Sequence, residues 1–238
     1  MGRGVALLGG VGRGKRLIAA WAARDYRVQS LFRDGIAWLT LSTPPPLPLS
    51  HSSSPASPSR RGAVAQLMTW LSAPELPPTH TSLKSAHTND RRSEAVGLLR
   101  AALGRRRCLI VLDGVESLDG DAGLILDACA PEQVVLITTR STAVASAIGS
   151  TGSSASTVSV PPLDEGKSLD LLGSLLRPPR SRDELKRGDD LKALLAVCSG
   201  EPLLIRMASA LASAPASTDA SVVGAAAAAA AITGGIGG

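Results

Sequence analysis

The feature that most constrains this chain is a glycine-rich segment near its start, residues 9–16, with the sequence GGVGRGKR. Residues 5–8 before it form a short apolar run typical of a buried strand, and residues 17–23 after it are typical of a helix. Gly9, Gly14 and Lys15 fit the pattern G-x-x-x-x-G-K-[ST], whose backbone N–H groups surround phosphate oxygens at a helix N-terminus. The order strand, loop, helix therefore predicts a phosphate-binding loop.

One residue departs from that pattern. Arg16 stands where a serine or threonine hydroxyl normally holds Mg²⁺, and a guanidinium has no lone pair to offer a metal. The sequence therefore predicts nucleotide binding with little hydrolysis, and it puts Mg²⁺ in doubt. The predicted cofactor-binding residues of this segment are Gly9, Gly10, Val11, Gly12, Arg13, Gly14, Lys15, Arg16 and Leu17.

The composition narrows the class of protein. The chain has 238 residues, of which 44% are apolar and only 2% aromatic, so a core must be built from aliphatic side chains. Basic residues are scattered and few aromatics could stack on bases, which makes nucleic acid a poor candidate partner. Cys108, Cys129 and Cys198 are widely spaced and read as buried, reduced thiols of an intracellular, cytoplasmic protein. No apolar run is long enough to span a bilayer, and no signal peptide is evident.

Apolar runs alternate with helical patterns over the first two thirds of the chain. This alternation predicts an α/β fold, a P-loop NTPase parallel sheet flanked by helices, with a short helical appendage. The predicted strands are 5–8, 36–41, 108–112, 134–137 and 157–160. The predicted helices include 17–23, 63–71 and 93–103, the last with Ser93 as its N-cap, and only helices are expected from residue 164 onward.

These patterns suggest three regions. Residues 1–160 are predicted to form the nucleotide-binding domain, 161–214 a helical subdomain, and 215–238 a low-complexity Ala/Gly tail. Within the first region, the Pro/Ser-rich residues 43–61 are expected to be a disordered insertion, and 74–92 to be loop. Two apolar helix faces are expected in the helical subdomain: Leu169, Leu171, Leu172, Leu175 and Leu176 on one, and Leu191, Leu194, Leu195 and Val197 on the other.

Two further candidates follow predicted buried strands, where open α/β sheets bind their ligands. Asp113 ends the run 109–112 and could hold Mg²⁺ directly or through water, although such an aspartate also serves as a turn or helix cap. Gly114 supplies no second carboxylate, and Glu116 is expected to be a solvated loop residue. Arg140 follows the next run and could contact a terminal phosphate or cap the following helix; both readings stay open.

Taken in order, six segments resemble the NB-ARC nucleotide-binding domain, a STAND-class P-loop NTPase. That domain occurs in plant disease-resistance receptors, apoptotic adaptors and related signalling switches. The resemblance covers residues 4 to about 213, apart from the Pro/Ser insertion. The segments are the glycine loop, DGIAWLTLS (34–42), LIVLDGVES (109–117), VVLITTRS (134–141), VPPLDEGKSLDLL (160–172) and CSGEPLLI (198–205).

The resemblance implies a switch between ADP and ATP. Lys15 then matches the phosphate-binding lysine, Asp113 the magnesium aspartate and Arg140 the arginine that senses the terminal phosphate. Pro202 matches the proline of the family's G-L-P-L turn, which packs near the adenine and sugar; from the sequence alone, Pro202 is a helix-starting proline.

Several departures qualify that expectation. Arg16 and Gly114 remove two magnesium-linked groups, Glu201 replaces a leucine, and the family's winged-helix region has no counterpart, as in a truncated or decayed member. We therefore expect an adenine-nucleotide-binding module, favouring ADP, in which Arg16 pairs with Asp113 in place of the metal. The alternatives are a slow Mg²⁺-dependent ATPase, a scaffold that binds no ligand and, least supported, a nucleic-acid-associated ATPase. Protein partners and self-association stay open.

Overall fold

Five parallel strands make up the sheet of this protein, in a computed structural model that describes residues 3–41, 62–72, 88–150, 156–176, 178–187 and 189–213. The strands are β1 Arg3–Leu8, β2 Ile36–Thr40, β3 Leu109–Val115, β4 Val134–Thr139 and β5 Ser156–Ser159, in the spatial order β2-β3-β4-β1-β5. Helices flank this sheet, so the predicted α/β class is confirmed. The predicted insertion 43–61 and tail 215–238 lie outside the described residues.

The chain separates into two compact units. The first comprises residues 1–9 and 15–159, and the second comprises residues 10–14 together with the chain from residue 160 onward. The first unit contains the sheet and the helices α1 Lys15–Arg24, α2 Tyr26–Leu31, α3 Ala63–Trp70, α4 Thr88–Leu103, α5 Asp121–Ala128 and α6 Thr142–Ser150.

The sequence missed two features of these helices. Helix α2 follows α1 almost directly because the Asp25 carboxylate accepts a hydrogen bond from the Arg27 N–H and caps a new helix. Helix α4 begins at Thr88, so the prediction of Ser93 as an N-cap was wrong, and Ser93 is an exposed residue inside the helix. No glycine or proline lies between Thr88 and Ser93 to stop the helix from starting earlier.

The core of the first unit lies on both faces of the central strands. Every residue of β3 except Gly114 is buried, as expected for a parallel strand covered by helices on both sides. Ile110 and Leu112 are fully buried, and each stabilises the unit by about 1.5–3 kcal/mol. Cys108 and Cys129 belong to the same core, so their predicted burial is confirmed.

The second unit is helical, as predicted. Its helices are α7 Glu165–Leu175, α8 Arg182–Arg187, α9 Asp189–Cys198 and α10 Pro202–Ala212. Asp164 caps α7 by accepting from the Lys167 N–H at 2.7 Å, and Pro202 begins α10, where its fixed φ suits the first helical position. The buried core of this unit contains Leu169, Leu172, Leu176, Leu185, Leu194, Cys198, Ile205 and Ala208.

The expected apolar faces of this unit are largely but not wholly correct. Leu169, Leu172 and Leu176 are buried, whereas Val197 is 42% exposed, so its assignment to the apolar face with Leu194 was wrong. Helix α9 turns Leu194 and Cys198 inward, and a residue one position before Cys198 points elsewhere on a helix of 3.6 residues per turn. No helix among the described residues is long and apolar enough to cross a membrane.

Candidate functional site

The carboxyl ends of three neighbouring strands bring most first-unit candidates to one edge of the sheet. In the parallel register, Leu8 of β1 pairs with Thr139 of β4, and Asp113 of β3 pairs with Thr138. The Gly9 N–H donates to the Thr139 carbonyl at 3.3 Å, so the residue that opens the glycine loop is fixed to the end of β4. This is the edge at which α/β sheets of this kind bind ligands.

Lys15 lies at the start of α1 and is half-buried. Its Nζ donates to the Gly9 carbonyl at 2.7 Å, a contact that folds the side chain back over the residue that opens the loop. The ammonium group therefore lies beside the residue that opens the glycine loop.

Asp113 lies within β3, because the strand continues to Val115 instead of ending at the aspartate as predicted. The register with β4 shifts between Asp113 and Val115, and Gly114 has φ of 80°, a backbone conformation that glycine adopts without strain. Asp113 is only 6% exposed, and its Oδ1 accepts from the Thr138 hydroxyl at 2.7 Å. The Thr138 oxygen in turn accepts from the Gly114 N–H at 2.9 Å.

The other carboxylate oxygen of Asp113 faces Arg16. The Arg16 Nε and the Asp113 Oδ2 lie 3.3 Å apart, so the ion pair predicted from the sequence is present. The two partners differ in environment: the Arg16 side chain is 69% exposed and that of Asp113 only 9%. A buried carboxylate is thus neutralised by a cation whose outer surface is open to solvent.

This donor set does not fit Mg²⁺. Both oxygens of Asp113 already have partners, and Arg16 occupies the position from which a hydroxyl would coordinate the ion. Within the described residues, moreover, no three His, Cys, Asp or Glu side chains cluster in a way that could hold a metal. The doubtful assignment of Asp113 as a metal ligand therefore gains no support.

Arg140 follows β4 at the same edge and pairs with Glu116, which the sequence assigned to a solvated loop. Both side chains are largely exposed, at 46% and 64%. The alternative reading of Arg140 as a cap of the next helix is not needed, since the Ser141 hydroxyl accepts from the Val144 N–H in the first turn of α6.

The rest of the glycine loop, residues 10–14, belongs to the second unit. The Arg13 Nε donates to Glu201 Oε1 at 2.8 Å and its Nη1 to the Val160 carbonyl at 3.3 Å. Gly12 has φ of 82°, and a Cβ added there would lie 2.7 Å from the Leu203 Cβ. The loop is therefore held by the turn that contains Pro202, through Glu201 and Leu203 on either side of that proline.

Two predicted binding residues point largely to solvent. Val11 in the loop is 51% exposed and Leu17 in the first turn of α1 is 74% exposed.

A separate shallow cavity lies at the amino ends of β3 and β4, the opposite edge of the sheet. It is lined by Leu31, Phe32, Arg107, Pro131, Glu132 and Val134, of which only Val134 belongs to one of the six segments.

No protein-family model matches this sequence, and no curated protein matches it either. The resemblance to the NB-ARC domain thus stays a prediction that rests on the six segments themselves.

Proposed function

We propose that this protein is an adenine-nucleotide-binding module, taking ADP or ATP, of an intracellular signalling protein of the NB-ARC type. The observation that carries the proposal is the pair of cations, Lys15 and Arg16, in the first turn of a helix that follows the glycine loop. Helix N-termini and adjacent cations are the groups that bind phosphate chains.

The choice of an adenine nucleotide rests on the resemblance. The ordered segments are those of a family that binds ADP and ATP, and Pro202 corresponds to the proline expected near the adenine and sugar. In this chain Pro202 begins α10, between Glu201 and Leu203, which contact Arg13 and Gly12 of the loop.

Little hydrolysis is expected from this arrangement. Activation of an attacking water needs a carboxylate or a metal with capacity to spare. Asp113 is engaged at both oxygens, Gly114 adds no carboxylate, and Glu116 is paired with Arg140. A slow Mg²⁺-dependent ATPase is therefore a weaker candidate than a module that binds nucleotide with little hydrolysis.

A scaffold that binds no nucleotide is favoured by a different observation. Arg13, Lys15 and Arg16 each have a partner within the protein: Glu201, the Gly9 carbonyl and Asp113, respectively. A phosphate chain would have to share or replace these contacts, so the two candidates differ in a single measurable property, the affinity for nucleotide.

The test is a titration of the purified protein with fluorescently labelled ADP. Lys15→Ala should weaken binding roughly tenfold to a hundredfold, because a charge-assisted phosphate contact contributes about 1.5–3 kcal/mol. Arg24→Ala is the matched control, since it removes an exposed cation from the last turn of the same helix. If Lys15→Ala binds ADP within twofold of the wild type, the loop is not the phosphate site; if the wild type binds none, the scaffold alternative is correct.

A further inference from the structure

We infer that Arg16 replaces Mg²⁺ in nucleotide binding, so that this protein binds ADP without a metal ion. The inference rests on the proposed function and specifies how the same site neutralises its ligand. A phosphate-binding loop is expected to bind Mg²⁺, but the groups around Asp113 do not fit this ion.

Asp113 is a buried carboxylate that needs a compensating charge. A carboxylate that is 6% exposed is strongly disfavoured unless a cation or hydrogen-bond donors compensate its charge. In this protein the compensation comes from Arg16 at 3.3 Å and from the Thr138 hydroxyl at 2.7 Å. A magnesium ion would have to displace Arg16 from Asp113, because two cations at one carboxylate repel each other.

The side of Arg16 away from Asp113 is exposed to solvent. A guanidinium has five N–H donors, and the Nε of Arg16 is the atom that lies 3.3 Å from the Asp113 carboxylate. The Arg16 side chain is 69% exposed, so much of its surface is accessible to a ligand. Arginine binds phosphate oxygens through paired N–H groups, and one guanidinium can therefore bridge a buried carboxylate and a phosphate.

The net charge of the site depends on whether Arg16 or Mg²⁺ lies beside Asp113. Arg16 and Asp113 together carry no net charge, whereas Mg²⁺ on the same aspartate would leave one positive charge. The extra negative charge of a third phosphate is therefore compensated less well than in a site that holds a metal. Arg16 in place of the metal thus favours ADP over ATP.

The experiment measures ADP affinity in Mg²⁺ and in EDTA for the wild type and two variants. The wild type should bind equally well, within twofold, in both buffers. Arg16→Thr should lose roughly tenfold or more in EDTA and recover in Mg²⁺, because it exposes Asp113 and restores the hydroxyl. The control Arg24→Thr, on the same helix, should behave like the wild type in both buffers.

Asp113→Asn supplies a second test, because binding without a metal and binding through a metal predict opposite changes in its ADP affinity. Without the carboxylate, Arg16 is released toward the phosphates, so ADP affinity should rise roughly three- to tenfold in both buffers. If Asp113 held a metal, the same change would lower affinity in Mg²⁺. Circular dichroism checks folding, and Arg16→Thr alone decides the question if the asparagine variant does not fold.

Two outcomes overturn the inference but leave the proposed function standing. One is a wild type whose ADP affinity falls tenfold or more in EDTA, and the other is an Asp113→Asn variant that binds ADP more weakly in Mg²⁺. A wild type that binds no ADP in either buffer overturns the proposed function as well. The failure of the inference and the failure of the proposed function are therefore told apart by whether ADP binds at all.

Discussion

At the scale of single residues, the pair between Arg140 and Glu116 connects the ends of β4 and β3. Both side chains are largely exposed, and exposed ion pairs contribute only about 0–1 kcal/mol. A terminal phosphate could therefore compete for Arg140 at low energetic cost, which is the property that a phosphate sensor needs.

If Arg140 senses the third phosphate, Arg140→Ala should weaken ATP binding while leaving ADP binding unchanged. Glu116→Gln should act in the opposite direction and raise ATP affinity by up to about fivefold, since it releases the arginine. Competition of unlabelled ATP and ADP against labelled ADP measures both variants. Equal losses for the two nucleotides in Arg140→Ala, or no loss at all, would remove Arg140 from the sensor role.

At the scale of elements, the conformation of residues 10–14 depends on contacts with α10 and the turn before it. Gly12 and Gly14 have nearly the same positive φ, 82° and 81°. They differ in surroundings, because a Cβ on Gly12 would lie 2.7 Å from the Leu203 Cβ, and a Cβ on Gly14 would meet no atom within 4 Å. Substitution of Gly14 therefore tests backbone strain alone, whereas substitution of Gly12 tests strain together with close packing.

Replacement of each glycine by alanine should show this difference in urea unfolding. Gly14→Ala should lower the free energy of unfolding by about 1–2 kcal/mol, the cost of a left-handed backbone for an L-residue. Gly12→Ala should lower it by about 1–3 kcal/mol more, because the loop must also move away from Leu203. Leu203→Ala should not rescue Gly12→Ala, since the contacted atom is a Cβ. Equal losses in the two alanine variants would contradict the packing of Gly12 on Leu203.

At the scale of the whole molecule, the reactivity of the three cysteines can be used to measure the opening of each unit separately. Cys108 and Cys129 are buried in the first unit and Cys198 in the second. Burial raises the pKa of the Cys108 thiol to about 11 and that of Cys129 to about 12, from an ordinary value of 9.0. Burial also raises the pKa of Cys198. At pH 8 all three thiols are therefore protonated in the folded protein, and each reacts only when its unit opens.

Labelling with a thiol reagent, followed by peptide mass analysis, should be slow at pH 8 and fast in denaturant. ADP at a hundred times its dissociation constant adds about 2.7 kcal/mol of stability, so labelling of Cys108 and Cys129 by global opening should slow by up to about a hundredfold. Because folding raises the pKa of these thiols, their protonation favours the folded state below pH 9, and this contribution to stability is lost as the pH rises toward the folded-state pKa values. Labelling should therefore accelerate above pH 9. Immediate labelling of the native protein at pH 8 would contradict the burial of these thiols.

Local sequence patterns determined much of the architecture. The apolar run at 109–112 was sufficient to predict a buried central strand, and Asp164 and Pro202 marked helix starts, because strand burial and helix capping depend on neighbours in sequence. The pair between Arg16 and Asp113 could also be predicted, since parallel strands bring their carboxyl ends to one edge and a buried carboxylate requires a cation there.

Other features depended on contacts that no local pattern encodes. Glu201 holds Arg13 across 188 residues, Glu116 pairs with Arg140, and the Thr138 hydroxyl satisfies the second oxygen of Asp113. In each case the sequence showed an ordinary polar residue near a predicted element, and only the tertiary structure supplied its partner. The sequence by itself therefore determined the strands, most of the helices and the meeting of Arg16 with Asp113 at the sheet edge. The tertiary structure decided how the glycine loop is held and which partners the two carboxylate oxygens of Asp113 have, because long-range packing fixes the neighbours of each polar group.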